Sequence, residues 1–188
     1  MQHPGIRAYF EVKLGKKTIV RKRACRSFLK AWNFFLYAQL TRASSVATNT
    51  GGTTTTLNPD YAMQGDGPVN SSAQGLVVGS GNTAVTSADN KLQTQILHGA
   101  GAGQIQHILQ TVLTAPTTNA AGTSFAAQRT FTNNSGATIT IKEIGWYAIS
   151  SAIGAGTKFC ILRDVLPAAV DVPNGQTFTV TYTISALI

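Results

Sequence analysis

The segment from Thr177 to Ile184 alternates without a break, with Phe178, Val180, Tyr182 and Ile184 on one side of an extended chain and Thr177, Thr179, Thr181 and Thr183 on the other. Successive side chains of a strand point to opposite faces, so this segment is a strand with one face to cover and one threonine face that tolerates water. Pro173, Asn174 and Gly175 turn the chain sharply just before it. Such a strand needs neighbours of the same pattern, and the sequence offers several. Phe125, Ala127, Arg129 and Phe131 alternate, Asn133–Gly136 is a turn signal, and residues 137–149 and 158–163 read as further strands. Residues 104–113 read as one strand about 33 Å long, with Ile105, His107, Leu109, Thr111 and Leu113 sharing a face.

Near the start of the chain, residues 9–14 and 18–20 form a hairpin around Gly15, Lys16 and Lys17. A helix follows, with Ser27 as its N-cap and Phe28, Leu29, Trp32, Phe35, Leu36 and Leu40 on one broad face to be buried. The expected fold is therefore mainly β: an antiparallel β-sandwich or jelly-roll-like body with an N-terminal β-hairpin and one amphipathic helix.

Composition sharpens this picture. The chain has 188 residues, of which 43% are apolar and only 12% charged, about half the ~25% charge usual in soluble domains. Threonine and glycine take up the surface instead, with 25 Thr and 18 Gly. A surface so poor in charge suits a subunit whose faces meet other subunits. The formal charge of +8 is concentrated at one end, because residues 1–43 hold ten basic residues and one acid while the other 145 sum to about −1. Three segments follow: 1–43, a basic hairpin-plus-helix arm; 44–74, a Thr/Gly-rich extended connection without obvious elements; and 75–188, the antiparallel β domain.

Within the arm, Lys16, Lys17, Arg21, Lys22, Arg23 and Arg26 form the candidate partner-contact set. Such a cluster meets an acidic face on a partner protein, meets phosphates through counterion release, or stands in solvent. A protein partner is the reading taken forward; a solvated face comes next, and nucleic acid is not favoured.

Motifs that would carry chemistry fail on context. Gly79, Gly81 and Ala84 match a dinucleotide fingerprint, but neither an amphipathic helix nor an acidic residue ~20 positions on follows, so the segment reads as a turn. The glycines from 99 to 103 lack the Lys-Ser/Thr of a phosphate loop. His98 and His107 are not at a metal-ligand spacing, and Asp60, Asp66, Asp89, Glu143, Asp164 and Asp171 are scattered. Arg163 and Asp164 read as a local ion pair at a strand end. Cys25 and Cys160 are too few for a disulfide framework and read as buried free thiols. No catalytic, cofactor or metal residue is expected, and the chain is not read as an enzyme. It shows no secretory leader or membrane span, so folding in the cytoplasm is expected.

The order of motifs in the second half adds a resemblance. Phe131–Gly136, then Glu143-Ile144-Gly145-Trp146-Tyr147, Arg163-Asp164-Val165-Leu166, and the closing Val180-Thr181-Tyr182-Thr183-Ile184 follow one another. This series, with Gly79–Val85 and Leu97-His98-Gly99 upstream, resembles small β-rich virion structural proteins of tailed bacteriophages over roughly residues 75–188. The resemblance implies a repeated, homo-oligomeric subunit of the tail, collar or fibre-attachment region, located in the virion, with copies of itself and other virion proteins as partners. A capsid decoration (cement) protein, or a receptor- or glycan-binding module of the tail, are the alternatives. The basic front segment and the lack of a fibrous continuation favour a compact accessory subunit.

Overall fold

The alternating C-terminal segment, β12 (Thr177–Leu187), lies in the interior of the larger of two main sheets. The structure is a computed structural model that describes residues 5–25, 28–41, 43–57, 63–150 and 157–187. On one side of β12 runs β1 (Gly5–Leu14), antiparallel to it from Gly5 opposite Leu187 to Leu14 opposite Phe178. On the other side runs β9 (Gly122–Thr132), antiparallel over its whole length. The expected hairpin is present: β2 (Lys17–Cys25) folds back on β1 and forms the outer edge of the sheet. Two short strands, β7 (Val112–Leu113) and β8 (Thr117–Asn119), pair with the far side of β9.

The basic segment is therefore not an appendage to a β domain that starts at residue 75. Ala8, Phe10 and Val12 of β1 are buried in the same core as Val180 and Tyr182, and β1 satisfies one side of the β12 backbone ladder. Alternation within residues 8–12 calls for a covered apolar face, and the place beside β12 supplies the cover.

The second sheet has β10 (Ile139–Ser150) inside, between β11 (Lys158–Val172) on one side and both β6 (Gly75–Gly79) and β5 (Met63–Gln64) on the other. The two sheets face each other, giving the expected antiparallel, sandwich-like body. Trp146 stacks on Tyr182 across the interface at 6.3 Å, and Phe35 meets Phe159 edge-on at 5.1 Å. Each such large apolar side chain contributes about 1.5–3 kcal/mol by burial. The core residues of β10 are Ile139 and Ile141 before a register shift and Ile144, Trp146 and Ala148 after it. The extra residues of this shift lie on β11, where Val165 to Val170 spans five steps against two on β10.

Three expectations are corrected. The connection 44–74 contains a hairpin of β3 (Ser45–Thr48) and β4 (Thr54–Leu57), so the threonine run is a strand whose Leu57 is buried. Residues 104–113 are not one strand. Their backbone bonds go to different partners: Gln106 to Thr132, His107 to Asn70, Thr111 to Gly67. Leu109 and Leu113 are exposed as a result. Finally, helix α1 (Lys30–Thr41) buries only Ala31, Phe35 and Ala38. Leu36 and Leu40, expected in the core, are exposed, because positions 31, 35 and 38 form a narrower stripe than the broad face read from the sequence. The expected N-cap Ser27 lies outside the described residues.

Candidate functional site

Charge is used in two ways in this molecule. Outside, Lys17, Arg21, Lys22 and Arg23 on β2, with Lys16 in the turn before it, are all exposed. Arg26 lies outside the described residues. β2 carries no acid. Glu11 on the neighbouring strand is engaged by Lys13 at 3.1 Å. Two register shifts interrupt the β1–β2 ladder; at the first, Arg21 and Lys22 face Glu11 together. Lys22 reaches across to Tyr9, with Nζ 4.5 Å from the ring centroid. Beside them lies a cleft of about 270 Å³, lined by Lys22, Tyr9, Asn119, Thr123 and Ser185 among others.

Inside, the ions are held and fully used. Glu143 is completely buried on β10. Its carboxylate accepts from the backbone N–H groups of Gly81 (3.1 Å), Thr94 (2.8 Å) and Gln93 (3.1 Å), and from Nε of Arg163 (2.9 Å). Arg163 also donates to Asp89 Oδ2 at 2.7 Å and to the carbonyl and hydroxyl of Thr83. Burial opposes the charged form of Arg163, but the bonds and charges of Glu143 and Asp89 outweigh it and raise its pKa. For Asp89, burial is likewise outweighed, by hydrogen bonds from Thr86 and Arg163 that lower the pKa. This network ties the loop 80–94 across β10 and β11.

The glycines that imitate a nucleotide fingerprint belong to this network. A Cβ on Gly79 or Gly81 would stand 2.6 Å from Glu143 Oε1. The anion that this glycine-rich turn receives is thus a carboxylate of the same chain. The expected Arg163–Asp164 pair does not form, because neighbouring residues on a strand face opposite ways. Asp164 instead accepts from Tyr182 Oη (3.0 Å) and Cys25 Sγ (2.7 Å) on the core side. Burial, with Asp164 adding to it, pushes the Tyr182 phenol well up. Both cysteines are free thiols; Cys160 is buried, but Cys25 is only half-buried.

A second buried cation, Arg129, is bonded to main-chain carbonyls: Nε to Leu109 (2.9 Å), Nη1 to Gln74 and Leu76 (3.1 Å each), and Nη2 to Pro68 (2.7 Å). Desolvation lowers its pKa to about 10. The planar fork of five donors suits this task, since it addresses several carbonyls from one position. Sequence reading placed Arg129 on an alternating strand but had no signal for its carbonyl partners.

His107 is buried beside Arg129, and its ring meets that of His98 at 5.8 Å and Phe131 at 4.9 Å. Nδ1 donates to the Ile105 carbonyl at 3.0 Å, and His98 Nδ1 accepts the His107 backbone N–H. Burial, then the Arg129 charge, lowers the His107 pKa to about 3. Both histidines thus serve local packing. Among the described residues no three His, Cys, Asp or Glu side chains are grouped to hold a metal, and no helix is long and apolar enough to cross a membrane.

One surface was not anticipated. Helix α1 presents Phe34, Leu36, Tyr37 and Leu40 to solvent, with Leu40 76% and Tyr37 51% exposed. The signal was in the sequence as an excess of large apolar residues over what one narrow stripe can bury. No protein family matches this chain, and comparison with the curated proteins and the solved structures gives no match.

Proposed function

We propose that the chain is a non-enzymatic structural subunit of a tailed-bacteriophage particle, repeated in the tail, collar or fibre-attachment region and bound to its neighbours through its surface helix and loops. The observation that supports this most is the outer side of α1. Four large apolar side chains on one short helix cost free energy in water and mark a contact surface. Lys30 is the sole charged residue of that helix, so copies meeting there encounter little repulsion. The loops that would bear load are braced from within: Glu143 and Arg163 hold 80–94, and Arg129 holds 68–76 and 109. A rigid block with an uncovered apolar face fits a body that is assembled by repetition.

A head-decoration role uses the same surfaces and is the second reading. Glycan binding ranks below both. The threonine face of the large sheet offers hydroxyls, but these are engaged by their neighbours, Thr130 with Thr179 at 2.8 Å and Thr181 accepting from Gln128 Nε2 at 3.0 Å. The test is quantitative mass spectrometry of purified phage particles that encode the chain, with density for it located by electron microscopy. Many symmetry-related copies in the tail or collar are expected. Copies on the head shell would select the decoration reading, and absence from the particle would refute both.

A further inference from the structure

Contacts between copies account for α1 but not for β2. A second copy is a poor partner for this cationic edge, because the chain has little negative surface to offer. Of the acids among the described residues, Glu143 and Asp164 are buried, Asp89 is held by Arg163, and Glu11 by Lys13. Only Asp66 and Asp171 of these are exposed, and Asp171 already accepts a bond from Thr140 at 2.6 Å.

We infer that the edge formed by Lys16, Lys17, Arg21, Lys22 and Arg23 binds the phosphate backbone of a nucleic acid, without reading its sequence. Charge complementarity asks for a polyanion, and the layout favours an extended one. From Lys16 to Arg23 the strand covers roughly 23 Å, the length of about seven phosphates of one DNA strand at 3.4 Å each. The cations are strung along the strand, Arg21 and Lys22 on the Glu11 side and Lys17 and Arg23 on the side of Leu14 and Phe10, and do not converge on a pocket. The cleft next to Lys22 is lined by neutral hydrogen-bonding groups, Asn119, Thr123, Ser124 and Ser185, and contains no acid.

An acidic protein is the less suitable occupant. Protein interfaces are organised around a desolvated apolar centre, and β2 exposes one large apolar side chain, Ile19, at 38%. Addition of a partner strand to the edge is also disfavoured, since bulges and closely spaced cations are the devices that prevent it. This inference does not rest on the phage reading. A nucleic-acid-binding edge stands or falls by its own measurement.

The test uses the full chain and fluorescence anisotropy, with a labelled single-stranded oligonucleotide and its duplex, between about 50 and 200 mM salt. Five phosphate contacts predict a slope of log K against log salt of about −4.5 on duplex and about −3.5 on single strands. The variant Arg21→Gln/Lys22→Gln/Arg23→Gln should shift the slope toward zero by about 2–3 and weaken binding at low salt at least ~tenfold. Lys16→Gln/Lys17→Gln, which alters the turn and the first residue of the strand, gives an independent reading and should shift the slope by about 1–2. Lys91→Gln/Lys158→Gln, away from β2, should leave it unchanged. Absence of binding at low salt, equal losses in the distant and β2 variants, or tighter binding to poly-glutamate than to DNA would each overturn the inference, the last in favour of an acidic protein.

Discussion

The loop brace around Glu143 and the edge strand β2 both concentrate charge, and they spend it in opposite ways. In the brace, every charged group has partners: one carboxylate serves three backbone amides and an arginine, and that arginine serves a second carboxylate and a threonine. At the edge, five cations stand in water without an acid on their strand. Buried ions are tolerated only when paired and hydrogen-bonded, so the brace is part of the fold. Exposed ions add little to stability, so the edge is free to answer to a partner. Sequence proximity predicts neither role. Arg163 is adjacent to Asp164 and pairs with residues 20 and 74 positions away.

The largest effect should come from breaking the brace. Glu143→Ala leaves the Arg163 charge and three amides without their acceptor, and a loss of about 3–5 kcal/mol in urea unfolding is expected. A change below about 1 kcal/mol would mean that the loop 80–94 is held by something else.

Next comes the pH response of His107. The native state keeps this imidazole neutral down to about pH 3, whereas in the unfolded chain it takes up a proton near 6.5. The unfolded state therefore binds more protons between these values, and stability is lost as pH falls from 6.5 toward 3. The loss reaches up to about 1.4 kcal/mol per pH unit. Between pH 6.5 and 5, above most carboxylate titration, His107→Phe should flatten the profile of chemical denaturation. An unchanged slope would contradict a buried neutral imidazole.

The smallest stability effect is expected at the edge. Replacing Arg21, Lys22 and Arg23 by glutamine should move the unfolding free energy by no more than about 0.5 kcal/mol. A loss comparable to that of Glu143→Ala would erase the contrast between the two regions.

How far these roles could be read in the sequence depended on how local their cause is. β12 was legible because residues 177–184 alternate without a break and one face of that stretch is entirely threonine. β1 was recognised as a strand, but its place beside β12 was not, since pairing of residues 5–14 with 178–187 leaves no local mark. Residues 104–113 alternate like a strand, yet their polar backbone is divided among Asn70, Gly67 and Thr132. The cationic cluster was visible by counting. The brace was hidden because Glu143 meets amides 49 to 62 residues away, and the helix misled because its apolar residues outnumber the space beneath it.

That excess carries the central claim, and sedimentation equilibrium of the full chain over the micromolar range tests it most directly. The wild type should self-associate with rising concentration, and Tyr37→Ser/Leu40→Ser should sediment as a monomer with an unchanged unfolding midpoint. A wild type that stays monomeric throughout, or a variant that associates just as strongly, would contradict a subunit assembled through α1.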